Sequence, residues 1–324
     1  MGRTAMLTKR LERVALVMLF LAILVATNTA CANGGERTAE GGQSGKIRIV
    51  TTIAQIAEPL AVIGGDKVEV DSLMGPGVDP HLYAATQGDI KKLQSGDIVF
   101  YSGLHLEANM VKVFEQIGKE RPVLAIGETL PKERLLKDPK GATDPHIWFD
   151  IDLWKQALGA ATEELKKYSQ ADAAYFEANK TAYFKQLDEL KAEALEKLGR
   201  IPEERRVLVT AHDAFGYFGR LLGLQVVGLQ GLSTEDEIGL SDIEDTIDLL
   251  VDRGIPAVFV ESSINPASIE AVIEGAKKRG HDVRLGGQLY SDAMGAGGTP
   301  EGTYLGMYRH NVDTIGEALA SKEG

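Results

Sequence analysis

Residues 169–198 read SQADAAYFEANKTAYFKQLDELKAEALEKL, a stretch without proline or glycine. Its apolar side chains recur at helical spacing, with charged residues between them: Tyr175, Tyr183, Leu187, Leu190, Ala194 and Leu198. Ser169 with Asp172 predicts the N-terminal cap, and Gly199 predicts the end. Thirty helical residues would form a helix about 45 Å long, enough to cross the whole molecule. The sequence therefore predicts one long helix in the middle of the chain.

The segments on either side of this helix begin with the same plan of strand, helix and strand. The predicted elements are strand 47–52, helix 53–63 and strand 68–73 in the first segment, and strand 206–210, helix 214–222 and strand 224–229 in the second. Further apolar strands are predicted at 97–101, 122–126, 257–260 and 283–285, with a helix at 268–279. Near-continuous apolar strands alternating with helices predict parallel sheets covered on both faces.

The predicted fold is therefore α/β, with two Rossmann-like lobes of parallel sheet joined by one long α-helix. A surface helix belonging to one lobe is the alternative, but its position between two similar units favours a spine. The predicted division is a signal peptide at 1–30, a flexible lipoprotein tether at 31–45, an N-terminal lobe at 46–168, a linking helix at 169–199 and a C-terminal lobe at 200–324.

The N-terminus has the pattern of an export signal. Basic residues precede an uncharged run at 14–26, which is shorter than the roughly 20 residues that span a bilayer. Small residues then lead to Cys31, the only cysteine of the chain, followed by a tether without large apolar residues. We expect Cys31 to be the lipidated residue of a bacterial lipoprotein. Asn28 stands where the usual lipoprotein box has Leu, so an ordinary cleavage site is the alternative.

The charge of the chain excludes one class of partner. The whole chain has a formal charge of −12, and residues 1–30 carry +3, so the remainder carries −15. Binders of nucleic acid need basic faces to neutralise phosphates, so we expect no nucleic-acid partner.

Four potential metal ligands follow apolar runs that read as strands: His81, His146, His212 and Asp292. Ligands in open α/β sheets gather at the carboxyl ends of strands, and convergence of these four would place an ion between the lobes. Three imidazoles and one carboxylate saturate a tetrahedral cation and leave no coordination position for chemistry. This set indicates a carrier rather than an enzyme.

The other histidines are weaker candidates. His105 also follows a strand, but its position between Leu104 and Leu106 favours packing, and His281 and His310 have the pattern of surface residues. Asp79, Asp144 and Asp213 are candidates to orient the ligand imidazoles, as carboxylates near metal-bound histidines usually do, and Glu261 is a further possible outer acid. The proline of each Asp-Pro-His sequence presents its histidine from a stiff loop.

Several motifs together resemble the zinc- and manganese-binding solute-binding lipoproteins of ABC importers, the TroA-type family. They are Cys31 with its tether, GVDPHLY at 77–83, GLHLE at 103–107, DPHIW at 144–148, HDAFGYF at 212–218 and SDAMG at 291–295. The resemblance covers essentially the whole mature chain in the same motif order. It implies two α/β lobes joined by a long helix, with His81, His146, His212 and Asp292 as ligands and His105 outside them.

The resemblance also implies partners and a location: a permease with its ATPase, and lipid anchoring to the outer face of the bacterial cell membrane as a monomer. Zinc-scavenging members carry a His-rich loop before the second histidine, and residues 135–143 contain no histidine. Manganese-type members often have Glu where this chain has His212, so zinc and manganese both stay open. A surface adhesin and, less favoured, a zinc hydrolase are the competing functions.

Overall fold

The computed structural model of the protein describes residues 45–320, and the predicted signal peptide, Cys31 and nearly all of the predicted tether lie outside them. The first lobe is built on a parallel sheet with the strand order β2-β1-β3-β4. Its strands are β1 (Ile47–Thr51), β2 (Val68–Ser72), β3 (Ile98–Tyr101) and β4 (Val123–Ala125). β1 is buried at four of its five positions, as expected for a central strand covered on both faces.

Helices cover this first sheet. They are α1 (Ala54–Gly64), α2 (Gln87–Ser95), α3 (Val111–Ile117) and α4 (Ile151–Tyr168). Two of them begin with side-chain caps: Thr86 forms a capping box with Asp89 at α2, and Asp150 accepts two backbone N–H groups at the start of α4. Within the described residues, no helix has both the length and the apolar character needed to cross a membrane.

The second lobe has two parallel strand pairs, with β5 next to β7. Its strands are β5 (Val207–His212), β6 (Gln225–Gln230), β7 (Ala257–Glu261) and β8 (Arg284–Leu289). Its helices are α6 (Gly216–Leu222), α7 (Leu240–Arg253), α8 (Ala267–Lys278) and α9 (Tyr304–Ala320). The α/β fold with parallel sheets in two lobes is therefore confirmed, and each strand lies within a few residues of its predicted position.

The long helix α5 (Ala173–Leu198) lies between the two lobes in the chain. It packs on α1 and α4 of the first lobe and on α9 of the second, which confirms the predicted spine. Its 26 residues correspond to about 39 Å, shorter than the predicted length. Its buried face is the predicted one except at its start, where Phe176 is buried and Tyr175 is exposed.

The predicted cap of this helix is wrong. Ser169 precedes a 3-10 turn, Gln170–Asp172, that leads into α5, and the Ser169 hydroxyl donates to the Asp172 carboxylate at 2.7 Å rather than capping a backbone N–H group. This turn lets the chain change direction between α4 and α5, so the helix starts four residues later than predicted.

Buried aromatic rings join the two lobes on one side, and we call this set the aromatic interface. It contains Trp148 and Phe149 from the first lobe and Phe215, Phe218, Tyr304 and Tyr308 from the second, all fully buried. Phe149 stacks on Phe215 with the ring centroids 4.6 Å apart, and the Tyr308 hydroxyl donates to the Phe149 carbonyl at 3.1 Å. Separating the lobes here would expose a packed apolar core to water.

Candidate metal centre

The four residues predicted as ligands meet in one place between the lobes. One donor atom from each of His81, His146, His212 and Asp292 lies within 4.8 Å of the others. All four side chains are buried. The His81 and His146 Nε2 atoms are 3.3 Å apart, and the Nε2 atoms of His146 and His212 each lie 3.3 Å from a carboxylate oxygen of Asp292.

These separations fit a single small cation. Zinc binds imidazole nitrogen and carboxylate oxygen at about 2.0–2.1 Å, so neighbouring ligand atoms of a tetrahedron lie about 3.3–3.4 Å apart. Three of the observed distances are 3.3 Å and match that edge, and the distance from His81 Nε2 to Asp292 Oδ2 is slightly longer at 3.6 Å. The Asp292 carboxylate turns both oxygens to the histidines, Oδ1 to His146 and Oδ2 to His81 and His212.

His81 and His146 come from the two Asp-Pro-His loops of the first lobe. In each loop the aspartate Oδ1 accepts the backbone N–H of the histidine two residues later, at 2.9 Å in both. This short-range bond closes the loop around the proline and fixes where the histidine leaves the backbone. In the second loop, Asp144 Oδ1 also lies 2.8 Å from the His146 Nδ1, so Nε2 is left to face the centre.

His212 and Asp292 come from strand ends of the second lobe. His212 is the last residue of β5, and Asp292 follows the last residue of β8 by three positions. Glu261, at the end of β7, accepts the His212 backbone N–H at 2.9 Å and places its other oxygen 2.6 Å from the His212 Nδ1. The carboxylate that orients this ring is therefore Glu261, and the prediction for Asp213 is wrong.

Sequence spacing gives little support to Glu261, because its role depends on which strands are neighbours in the sheet. β7 lies beside β5, so the carboxyl ends of the two strands meet, and Glu261 reaches His212 across 49 positions of sequence. The predictive signal was an acidic residue ending a fully apolar strand, since the last position of a parallel strand faces the ligand-binding edge of the sheet.

The charges of the centre are strongly coupled. Burial lowers the pKa of His81 to about 3, with Asp292 opposing this and the other imidazoles adding to it. Burial also lowers the pKa of His146, but the hydrogen bond to Asp144 and the negative charges of Asp144 and Asp292 outweigh it and raise the pKa to about 9. Burial raises the pKa of Asp292, yet His212 and His146 hold it well below its usual range. A cation that binds here takes the place of protons, because imidazole ligands must be neutral.

The polar atoms of the centre lack partners of their own. In the described part of the chain, the His212 Nε2 and both Asp292 carboxylate oxygens are buried and form no well-directed hydrogen bond, although they lie at ion-pair distances of 3.3–3.6 Å. Unpaired buried polar groups of this kind are costly, and a cation bound to all of them would remove that cost. The buried set of three histidines and one aspartate is thus suited to one metal ion.

The remaining histidines lie elsewhere. His105 is exposed in a tight turn with a positive φ of 68°, between the similarly left-handed Leu104 and the buried Leu106, so the prediction that it packs is wrong. It is not part of the group formed by His81, His146, His212 and Asp292. His281 and His310 are half-buried rather than fully exposed, and each places its Nε2 near a backbone carbonyl, of Ile255 and Gln288 respectively.

Comparison with known proteins shows that this chain is similar to metal-binding proteins. Residues 49–318 match the family model described as ZnuA, the periplasmic zinc-uptake complex component A. The chain belongs to this family. It is 49% identical over 302 residues to the manganese-binding lipoprotein MntA of Bacillus subtilis, covering 93% of this chain and 98% of that protein. It is 44% identical over 309 residues to the zinc-binding protein TroA of Treponema pallidum, covering 95% and 99%.

The solved structure of that periplasmic zinc-binding TroA superimposes on this chain with a TM-score of 0.83 and 46% identity, covering 86% of this chain and 100% of TroA. The similarity therefore extends over both lobes of this ZnuA-family chain. The predicted resemblance is confirmed, and the relatives divide between manganese and zinc in their names.

Proposed function

We propose that the protein is the extracytoplasmic metal-binding component of an ABC importer, which captures one zinc or manganese ion and delivers it to a membrane permease driven by an ATPase. The observation that carries this proposal is the buried group of three imidazoles and one carboxylate with unpartnered donor atoms. The relatives MntA and TroA, named for manganese and zinc, support the same function.

In this proposal the ligands are the Nε2 atoms of His81, His146 and His212 together with the Asp292 carboxylate. Asp144 and Glu261 orient two of the imidazoles by contacting the Nδ1 atoms of His146 and His212. Such carboxylate partners are usual for metal-bound histidines. We propose that residues 46–168 and 200–324 form the two lobes, on either side of the linking segment 169–199. The ion is bound where these two lobes meet.

A zinc hydrolase is the competing class of function. It needs a coordination position open to water and a general base beside it. Here four side chains surround the centre. Of the nearest carboxylates, Asp292 is one of these four, and Asp144 and Glu261 face the Nδ1 atoms of His146 and His212, so none is placed as a general base. A surface adhesin is the other alternative, and relatives with transporter names favour metal delivery over it.

The test is whether the chain binds one ion tightly without turning over substrates. We expect elemental analysis of protein purified from its own host to give one transition metal ion per chain. We expect no hydrolysis of ester or peptide substrates by the loaded protein. Substoichiometric or weak binding after removal of competing chelators would falsify the proposal, as would metal-dependent turnover.

Selectivity follows from the ligand chemistry. Imidazole nitrogens suit zinc, manganese prefers more oxygen donors, and the affinity order of divalent metals places zinc above manganese. We expect zinc to win an equimolar competition in this protein. A second Asp292 oxygen could provide a fifth bond and keep manganese binding feasible, since both oxygens face the histidines.

An exchange of nitrogen for oxygen tests this argument. His212→Glu alone would place a new carboxylate beside Glu261, whose Oε2 lies 2.6 Å from the His212 Nδ1, and two like charges there repel. The variant to test is therefore His212→Glu combined with Glu261→Gln, with Glu261→Gln alone as control. We expect the zinc-to-manganese affinity ratio to narrow in the double variant; manganese winning in the unaltered protein would contradict the argument.

Location is a separate part of the proposal. We propose that residues 1–30 are removed as a signal peptide and that Cys31 carries the lipid that holds the protein at the outer face of the cell membrane through the tether 31–45. The relatives named as lipoproteins support this. Cys31→Ala protein should leave the membrane fraction, and quantitative retention of that variant in membranes would contradict lipidation.

A further inference from the structure

The cleft that holds the metal centre has two unlike rims. On one side, the aromatic interface joins the lobes through fully buried rings. Elsewhere in the cleft, residues 79–82 of the first lobe face residues 230–238 of the second, and we call these the polar rim. There the Thr234 hydroxyl donates to the Asp79 Oδ2 at 2.6 Å, while the Asp79 Oδ1 accepts the His81 backbone N–H at 2.9 Å.

The polar rim is loosely packed. A cavity of about 360 Å³ lies beside the hydrogen bond between Thr234 and Asp79, and its wall includes Leu82, Ile238 and Ile264. Leu82 is 55% exposed, and Asp79 and Thr234 are only half-buried. Opening this side therefore breaks few apolar contacts, whereas opening the aromatic interface would expose rings that are completely buried.

The loop that carries Thr234 is nonetheless braced from within. Gln230, the last residue of β6, donates through Nε2 to the Thr234 carbonyl at 2.7 Å and to the Asp236 carbonyl at 2.5 Å. These bonds hold the loop in a shape that presents the Thr234 hydroxyl to the opposite lobe. The bond across the cleft is thus made between two supported loops, one of which carries a metal-facing histidine.

We propose that the ion leaves through the polar rim and that Thr234 is the positioning residue that limits its release. Thr234 does not contact the metal centre; it acts through Asp79, whose second oxygen holds the backbone of His81. Breaking the Thr234–Asp79 bond frees the first Asp-Pro-His loop from the opposite lobe and lets His81 move away from the other ligands. This inference rests on the proposed function, because it takes the metal centre as the site of release.

The experiment compares Thr234→Val, which keeps the shape and removes the hydroxyl, with Thr234→Ser, which keeps the hydroxyl. Zinc-loaded protein is mixed with excess chromogenic zinc chelator, and the first-order release rate is measured where it no longer depends on chelator concentration. Association is measured separately by mixing metal-free protein with zinc. Tyr308→Phe is the matched control, because it removes one inter-lobe hydrogen bond from the aromatic interface, between the Tyr308 hydroxyl and the Phe149 carbonyl.

We expect Thr234→Val to release zinc at least about tenfold faster, since hydrogen bonds to charged groups are among the stronger ones. Thr234→Ser should restore the original rate, and Tyr308→Phe should stay within about threefold of it. Association in Thr234→Val should not slow, which separates a release gate from a damaged site. Release within threefold in Thr234→Val, or equally fast release in Thr234→Ser, would overturn the inference.

These outcomes are distinguishable from failure of the proposed function. If the unaltered protein binds one zinc ion per chain but Thr234→Val releases it at the original rate, the gate is wrong and metal binding stands. If the unaltered protein binds no ion, the proposed function fails before any rate is compared.

Discussion

The two loops share the sequence Asp-Pro-His and the same hydrogen bond from the histidine backbone N–H to the aspartate, yet the two aspartates make different further contacts. Asp79 and Asp144 each accept the N–H of the following histidine at 2.9 Å. Asp144 uses the same oxygen to face the His146 ring, at 2.8 Å from Nδ1. Asp79 instead extends its other oxygen across the cleft to Thr234.

The two imidazole rings also differ in pKa. Burial lowers the pKa of His81 to about 3, whereas the carboxylates of Asp144 and Asp292 overcome burial at His146 and raise its pKa to about 9. A repeated motif therefore specifies where a histidine leaves the backbone, while the surroundings decide whether its aspartate tunes the ring or joins the lobes.

The largest expected effect is loss of a ligand from either loop. His81→Ala and His146→Ala should each weaken zinc binding by well over tenfold, as should His212→Ala and Asp292→Ala, because each removes one of four donor atoms. His105→Ala should leave affinity unchanged, since His105 is exposed outside the centre. Titration calorimetry on the five variants measures this. A loss of binding confined to His105→Ala would refute the assignment of ligands.

A smaller effect should separate the two aspartates. Asp144→Asn should weaken zinc binding by about 10- to 100-fold, because the neutral amide no longer supports the basicity of the His146 ring. Asp79→Asn should change equilibrium affinity by less than about threefold, since an amide can still accept the His81 N–H and donate to the Thr234 hydroxyl. Equal losses in the two variants, measured by competition with a zinc chelator, would show that the loops are equivalent after all.

The smallest expected effect is on the shape of the molecule. The helix α5 packs on both lobes, and the aromatic interface joins them through buried rings, so we expect any opening to occur at the polar rim. We expect the radius of gyration, roughly 19 Å by general scaling for a chain of this size, to differ by less than about 1 Å between metal-free and loaded protein. A large compaction in solution scattering would point to rotation of whole lobes instead.

Most of the fold was predictable because it depends on local pattern. Apolar strands such as 47–52 and the helical periodicity of 169–198 identify their elements without tertiary information. The start of α5 was not predictable, since Ser169 and Asp172 satisfy a cap pattern but form a 3-10 turn where the chain reverses. Tyr175 and Phe176 are adjacent, and only the packing decides which one is buried.

The predicted ligand residues meet because four strand ends or the loops after them converge, which the strand-end rule anticipates. The residues behind them were only partly predictable. Asp144 lies two positions before His146, so their contact can be predicted from the local sequence. Glu261 contacts His212 only because it ends β7, the strand beside β5. Spacing alone favoured Asp213, which directly follows His212, and the order of strands in the second lobe decides otherwise.

The unpartnered donor atoms of the metal centre have a consequence for how long the protein survives. An ion that binds the folded chain at a thousand times its dissociation constant adds about 4 kcal/mol to the free energy of unfolding. Proteases that attack opened chains cleave in proportion to how often a chain opens. We therefore expect chains that carry an ion to be cleaved by such proteases more slowly than empty ones.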